Sequence, residues 1–265
     1  MSITPKDITL VMAAHGATDD PRCAAPVERH AEVIRAMNIY REVRCVYWKQ
    51  PPHFGELYDL TPTGDLLIVP VMTASGYYTN VVLPRELKLE QPPANRNVMV
   101  TAPVGELDEM ADLIIEQAVL AAADTGVEVS DAHLLLIGHG TPRDPVRSGA
   151  TTYRHAETVR HRKVFRSVHA GFLEQDPTVA DAFAAIPGSE PVIVVPYLIA
   201  SGGHGADDIP SDLGEAPGTR TATIGIRPVL FADAVGEHPR TVHLILNCAE
   251  HTLMQVNRAD RRNAG

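Results

Sequence analysis

The chain has 265 residues, enough for one large core or two of ordinary domain size, and its 45% hydrophobic and 21% charged content is that of a folded globular protein. A formal net charge of -10 argues against general nucleic-acid binding, and no run approaches the roughly 18–20 apolar residues of a membrane helix. The amino terminus lacks a secretory pattern; Cys23, Cys45 and Cys248 lie far apart without a CxxC pair, which points to reduced thiols in a cytoplasm.

Residues 9–14 read as a strand, followed by an alanine-rich helix over 23–37 with Val27, Ala31, Ile34 and Ala36 on its apolar face. A strand over 43–48, a short helix over 54–60 and a strand over 65–70 come next. A weak helix over 81–89 is interrupted by Pro84, and a strand over 97–101 leads into a long helix over 106–123. Strand and helix alternating at this spacing predict βαβ units around a parallel sheet. Asp124-Thr125-Gly126 is a helix stop, and the expected domains are 1–127 and 128–265. The order then repeats: strand 134–137, helix 151–161, strand 167–173, helix 178–185, strand 192–197, short helix 208–213, a strand around 222–226 and a final helix 240–256.

The two halves align in detail. His15-Gly16 falls on His139-Gly140, and Tyr47-Trp48-Lys49-Gln50-Pro51-Pro52 on Phe172-Leu173-Glu174-Gln175-Asp176-Pro177. Ile68-Val69-Pro70 through Ala74-Ser75-Gly76 falls on Val194-Val195-Pro196 through Ala200-Ser201-Gly202, and Pro84 on Pro210. The offset drifts only from 124 to 126, which indicates a duplicated α/β domain. Each histidine follows an apolar strand at its carboxyl end, where open α/β sheets place their ligands.

The differences between the copies locate the chemistry. The second carries His139, Glu174 and His204; the first holds His15, Lys49 and Tyr78 in those places. Two neutral imidazoles and a carboxylate at one rim suit a divalent first-row metal and leave positions open for a substrate, whereas Lys49 would repel a cation. Any one of these residues alone reads as an ordinary polar strand end, and Glu174 alone as a carboxylate at a helix start. Three at equivalent sheet positions, with both histidines between glycines, read as a site with the metal in the second half.

Gly138-His139-Gly140-Thr141, then Phe172-Leu173-Glu174 with Pro177, then Val195-Pro196 through Ser201-Gly202-Gly203-His204 and Asp208-Ile209-Pro210 together resemble the class II tetrapyrrole chelatases of the CbiX type. The resemblance is strong over about residues 132–215 and weaker in the first half. It implies an α/β fold of two flavodoxin-like lobes with a cleft between them, and insertion of Co²⁺, Fe²⁺ or Ni²⁺ into a sirohydrochlorin-type ring without ATP. The metal is then a substrate, and neither a nucleotide nor a flavin is expected. By position the family's metal-binding histidines map onto His139 and His204 and its acidic site residue onto Glu174, as ligand or as acceptor of a pyrrole proton.

A polycarboxylate ring needs donors, and Arg143, Arg147 and Arg85 are the candidates, because guanidinium forks suit carboxylates. Tyr78 and His15, with Tyr77 and Trp48, are candidates for contact with the ring itself; Trp48 reads equally as core. His155 and His161 read as exposed helix residues, and His238 as a weak third-histidine candidate. The expected partner is the tetrapyrrole, with no nucleic acid or membrane, on a monomer or homodimer. A metal or tetrapyrrole carrier without turnover remains open as the alternative. A histidine-phosphatase chemistry is disfavoured, because Ala14 and Gly138 stand where it wants an arginine before His-Gly.

Overall fold

The structure is a computed structural model that describes residues 3–142 and 145–263. The apolar runs of the first half become four parallel strands, β1 (Ile8–Ala14), β2 (Glu42–Tyr47), β3 (Asp65–Pro70) and β4 (Val98–Val100), in the order β2-β1-β3-β4. Every residue of β1 is buried, as expected for a central parallel strand covered on both faces. One face packs on the short helices α2 (Leu57–Leu60) and α3 (Leu83–Glu86), through a cluster that includes Val11, Val46, Phe54, Leu57, Leu66, Ile68, Leu83 and Leu87. Helix α1 (Ala25–Met37) also packs on this sheet, burying Val27, Ala31 and Ile34.

The second half repeats the plan. Its helices are α4 (Met110–Ala122), α5 (Pro145–Arg162), α6 (Val179–Ala184) and α7 (Ile209–Asp212). Its strands are β5 (His133–Gly138), β6 (Ser167–Phe172), β7 (Val192–Tyr197), β8 (Thr221–Ile224) and β9 (Arg227–Phe231), in the order β6-β5-β7-β9-β8. All are parallel except β8, which pairs antiparallel with β9. The four residues Leu134–Ile137 are fully buried.

One expectation needs correction here. The single strand around 222–226 is a hairpin, and the strand that joins β7, and so matches β4, is β9. Its two-residue loop is Gly225-Ile226, with Gly225 at φ 66°, where a residue carrying Cβ is disfavoured. The compact units of the structure are drawn differently from the sequence repeat. The compact units are the chain up to Leu107 together with everything from Pro239 onward, and Asp108–His238. Helix α4 packs on β7 and α5 of the second unit, while the last helix, α8 (Thr241–Asn263), packs on α1 and β3 of the first. Both helices are apolar on their inner faces, so composition does not say which sheet each will cover. Among the described residues no helix is long and apolar enough to cross a membrane.

Candidate active site

Both copies build the turn after their first strand in the same way. Parallel pairing runs past the strand ends: Leu173 and Glu174 donate their amides to Gly138 and His139 at 3.1 and 2.9 Å. Trp48 and Lys49 donate to Ala14 and His15 at 3.2 and 2.9 Å. This brings residue 174 beside residue 139, and residue 49 beside residue 15. The following glutamine then clamps the loop, as Gln175 Oε1 accepts from Thr141 N and Gln50 Oε1 from Ala17 N. Gly140 lies at φ 74°, and a Cβ there would stand 2.6 Å from Gln175 Cγ, so both backbone and space require glycine after this histidine.

His204 is not on a loop at the strand end. It opens a π-helical turn, His204–Asp208, that runs directly into α7. Such turns are rare and recur at functional sites. The segment is anchored from below. Ser201 donates its amide to Glu237 Oε1 at 2.7 Å, and Gly236 passes so close to Ile199 that a Cβ would lie 2.3 Å from the carbonyl oxygen.

The structure brings His139 and His204 together, with ring centroids 5.1 Å apart and planes at 80°. His139 Nδ1 lies 3.1 Å from Gly140 O, an acceptor, so it carries the hydrogen. His204 Nδ1 lies 2.7 Å from Asp208 Oδ2 and donates to it. In the neutral form of each ring Nε2 is then the lone-pair nitrogen. Glu174 Oε2 stands 3.7 Å from His139 Nδ1. Among the described residues no three His, Cys, Asp or Glu side chains form a ready metal cage. The geometry is an open pair of imidazoles with a carboxylate at its side. Asp208 sits in the Asp208-Ile209-Pro210 motif, yet the sequence reading gave it no role.

The other expected residues are dispersed. Arg147 is exposed on α5, Arg85 is spent on Glu86 at 2.7 Å, and Arg143 lies outside the described residues. His15 and Tyr78 do meet, edge to face at 4.7 Å, in the first unit. His161 is exposed as expected, but His155 is not: it is buried against Tyr197. His238 is buried 3.4 Å from Glu116 on α4 and belongs to that packing, not to the site.

A family model described as CbiX matches the chain twice, over residues 9–120 and 133–252. The chain belongs to the CbiX family. The double match falls on the two copies of the duplication. A protein named probable sirohydrochlorin cobaltochelatase, from Halobacterium salinarum, is 29% identical over 268 residues, covering 91% of this chain and 90% of its own length. The sirohydrochlorin cobaltochelatase of Methanococcoides burtonii is 32% identical over 123 residues, 44% of this chain but 92% of itself. Among solved structures, DR2241 from Deinococcus radiodurans, a multi-domain protein described as similar to chelatases, superposes with a TM-score of 0.75 at 26% identity. That match covers 92% of this chain and 54% of DR2241. SirB from Bacillus subtilis with Fe³⁺ superposes with a TM-score of 0.71 at 16% identity over 93% of this chain and 96% of SirB, which shows the shared fold.

Proposed function

We propose that the chain is a metal chelatase that inserts a divalent metal, Co²⁺ foremost, into sirohydrochlorin or a related tetrapyrrole without ATP. The observation that carries this reading is the facing pair His139 and His204, each with Nδ1 engaged and Nε2 left to bind. The choice of ring and of cobalt rests on the names of the relatives from Halobacterium salinarum and Methanococcoides burtonii.

Metalating a macrocycle requires an ion stripped of much of its water, loss of the inner N–H protons, and ring and ion held face to face. Neutral imidazoles bind a first-row ion without cancelling its charge. A site with few protein ligands suits an ion that must leave for the ring's nitrogens. Holding both reactants together removes the cost of their encounter. Glu174 approaches the Nδ1 side of His139, which favours a role as acceptor of ring protons over a place in the metal's shell. On this reading His139, His204 and Glu174 are the catalytic set, and Arg147, Arg85, Tyr78 and His15 contribute to holding the ring. Arg85 would have to exchange Glu86 for a ring carboxylate.

The test is anaerobic insertion into sirohydrochlorin followed by absorbance, with Co²⁺, Fe²⁺ and Ni²⁺ in parallel and His204→Ala beside the wild type. The expected outcome is acceleration by wild type, fastest with Co²⁺, that falls to the uncatalysed rate in the variant. A wild type no faster than free metal and ring overturns the chelatase reading; saturable Co²⁺ binding would then identify a carrier.

A further inference from the structure

His204 reaches its place on a glycine-rich approach. The two residues before it are Gly202 and Gly203, with Gly202 at φ 44°, so the chain entering the π-turn has no side chain by which to be held. The nearest side chain upstream is that of Ser201. The Ser201 carbonyl accepts the amide of Gly205 at 2.5 Å, which closes the first turn around His204. Where Ser201 stands therefore sets where His204 stands.

Ser201 is held from outside that turn, by the segment that follows β9. Its amide donates to Glu237 Oε1 at 2.7 Å, and its hydroxyl accepts from the amide of Ala234 at 3.1 Å. Between these two contacts Gly236 donates its amide to the carbonyl of Leu198 at 2.9 Å. The opening N–H groups of a helical turn have no partner within it, and a carboxylate takes such a hydrogen more strongly than a neutral acceptor does. The first unit has the same strut. Glu106, in Val104-Gly105-Glu106, accepts from the Ser75 amide at 2.8 Å, and Gly105 donates to the carbonyl of Met72 at 3.0 Å. That turn leads to Tyr77-Tyr78, where the second unit has Gly203-His204. The strut supports an imidazole only in the second unit, and there it works across two glycines.

We propose that Glu237 is a positioning residue: its carboxylate holds Ser201, and through Ser201 the turn that presents His204. It acts apart from Asp208, which engages the His204 ring itself. Asp208 sets which nitrogen of the imidazole carries the hydrogen; Glu237 sets where the imidazole is. The consequence for the metal rests on the chelatase reading above; the hold of Glu237 on the turn does not.

The experiment uses the full-length protein and reads two quantities: amide hydrogen exchange at Gly205, and Co²⁺ affinity from the visible spectrum of the bound ion. Glu237→Ala should speed exchange at Gly205 while leaving the Glu174 amide, bonded to the carbonyl of His139, as protected as in wild type. It should also weaken Co²⁺ binding about tenfold, roughly 1.4 kcal/mol, with a changed spectrum. Glu237→Gln, whose amide oxygen can still accept from Ser201, should recover most of both. Thermal melting checks that the variants fold, and Glu237→Asp, which keeps the charge but shortens the reach, serves in place of the alanine variant should that one unfold. Glu106→Ala removes the same strut from the first unit and should leave Co²⁺ affinity unchanged. The proposal is overturned if exchange at Gly205 and Co²⁺ affinity stay at wild-type values without the Glu237 contact, or if Glu106→Ala lowers the affinity equally. A wild type that binds no Co²⁺, with exchange at Gly205 still faster in Glu237→Ala, would count against the chelatase reading alone and leave the hold of Glu237 on the turn established.

Discussion

At the scale of single residues, the second unit's site depends on which nitrogen of each imidazole is free. His139 is oriented by the carbonyl of its own neighbour Gly140, a contact no side-chain substitution can delete. His204 depends on Asp208, four residues on in the same π-turn, whose Oδ2 takes the Nδ1 hydrogen at 2.7 Å. A carboxylate behind a ligating imidazole fixes the tautomer and raises the basicity of the metal-facing nitrogen, and its loss typically costs about 10–100-fold in affinity. Asp208→Ala should therefore lower Co²⁺ affinity by that range, read from the visible spectrum of the bound ion. Asp208→Asn, whose amide oxygen can still accept, should recover most of it. Equal affinity in Asp208→Ala and wild type would show that Asp208 does not position His204. The sequence made His204 and the Asp-Ile-Pro motif visible but not their link. Read as a loop residue at a strand end, His204 has no reason to touch residue 208; only the helical winding brings the two together.

At the scale of elements, the central strands were legible because their signal is local. Runs such as Leu134-Leu135-Leu136-Ile137 are apolar throughout, and the strands they form are covered on both faces. Strand β9 was not, because Arg227-Pro228 reads as a polar break. The structure resolves it by burying Arg227, whose guanidinium donates to the carbonyls of Ile186, Pro187 and Gly188. The amino ends of β5 and β6 hold another feature with no sequence signature. His133, only 3% exposed, and His169 both contact the Ser167 hydroxyl, at 2.7 and 2.6 Å. Burial pushes both imidazoles below their usual range; Glu190 opposes this at His133, while Arg166, Arg160 and Arg227 reinforce it. A histidine whose folded pKa is depressed binds its proton more readily when unfolded, so acid favours the unfolded chain. Stability should be full above pH 6.5 and should fall as the pH drops from there toward the folded-state values. Urea midpoints at pH 7.5 and 5.5 should differ in that direction, and His133→Gln should narrow the difference. A midpoint that rises on acidification, or an unchanged gap in the variant, would contradict this account.

At the scale of the whole molecule, the repeat in the sequence and the units of the structure do not coincide. Sequence alignment cuts the chain after residue 127, but each half cut there would lack the helix that covers part of its sheet. Helix α4 buries Met110, Leu113 and Ile114 in the second unit, and Gln117 donates to the carbonyl of Ala234 at 2.8 Å. Helix α8 buries Val242, Leu244, Ile245, Cys248, Ala249 and Leu253, and Asn257 closes the first unit through two hydrogen bonds to Ile3. Burying one Leu or Ile contributes about 1.5–3 kcal/mol, so either helix is worth a sizeable part of the 5–15 kcal/mol that stabilises an ordinary domain. The exchange was illegible because both helices present similar apolar faces at the same place in the repeat, and pattern alone cannot tell which sheet each will join. It makes a prediction that the alignment would reverse. A fragment spanning residues 108–238, a contiguous unit with α4 in place, should unfold cooperatively in urea with the dispersed amide spectrum of a packed core. A fragment spanning 128–265, the unit the alignment suggests, should be markedly less stable, because α8 would have to abandon the partners that its inner face matches. Should 128–265 prove the more stable of the two, α8 would be shown to prefer the second sheet, and the exchange would be a weak choice between equivalent packings.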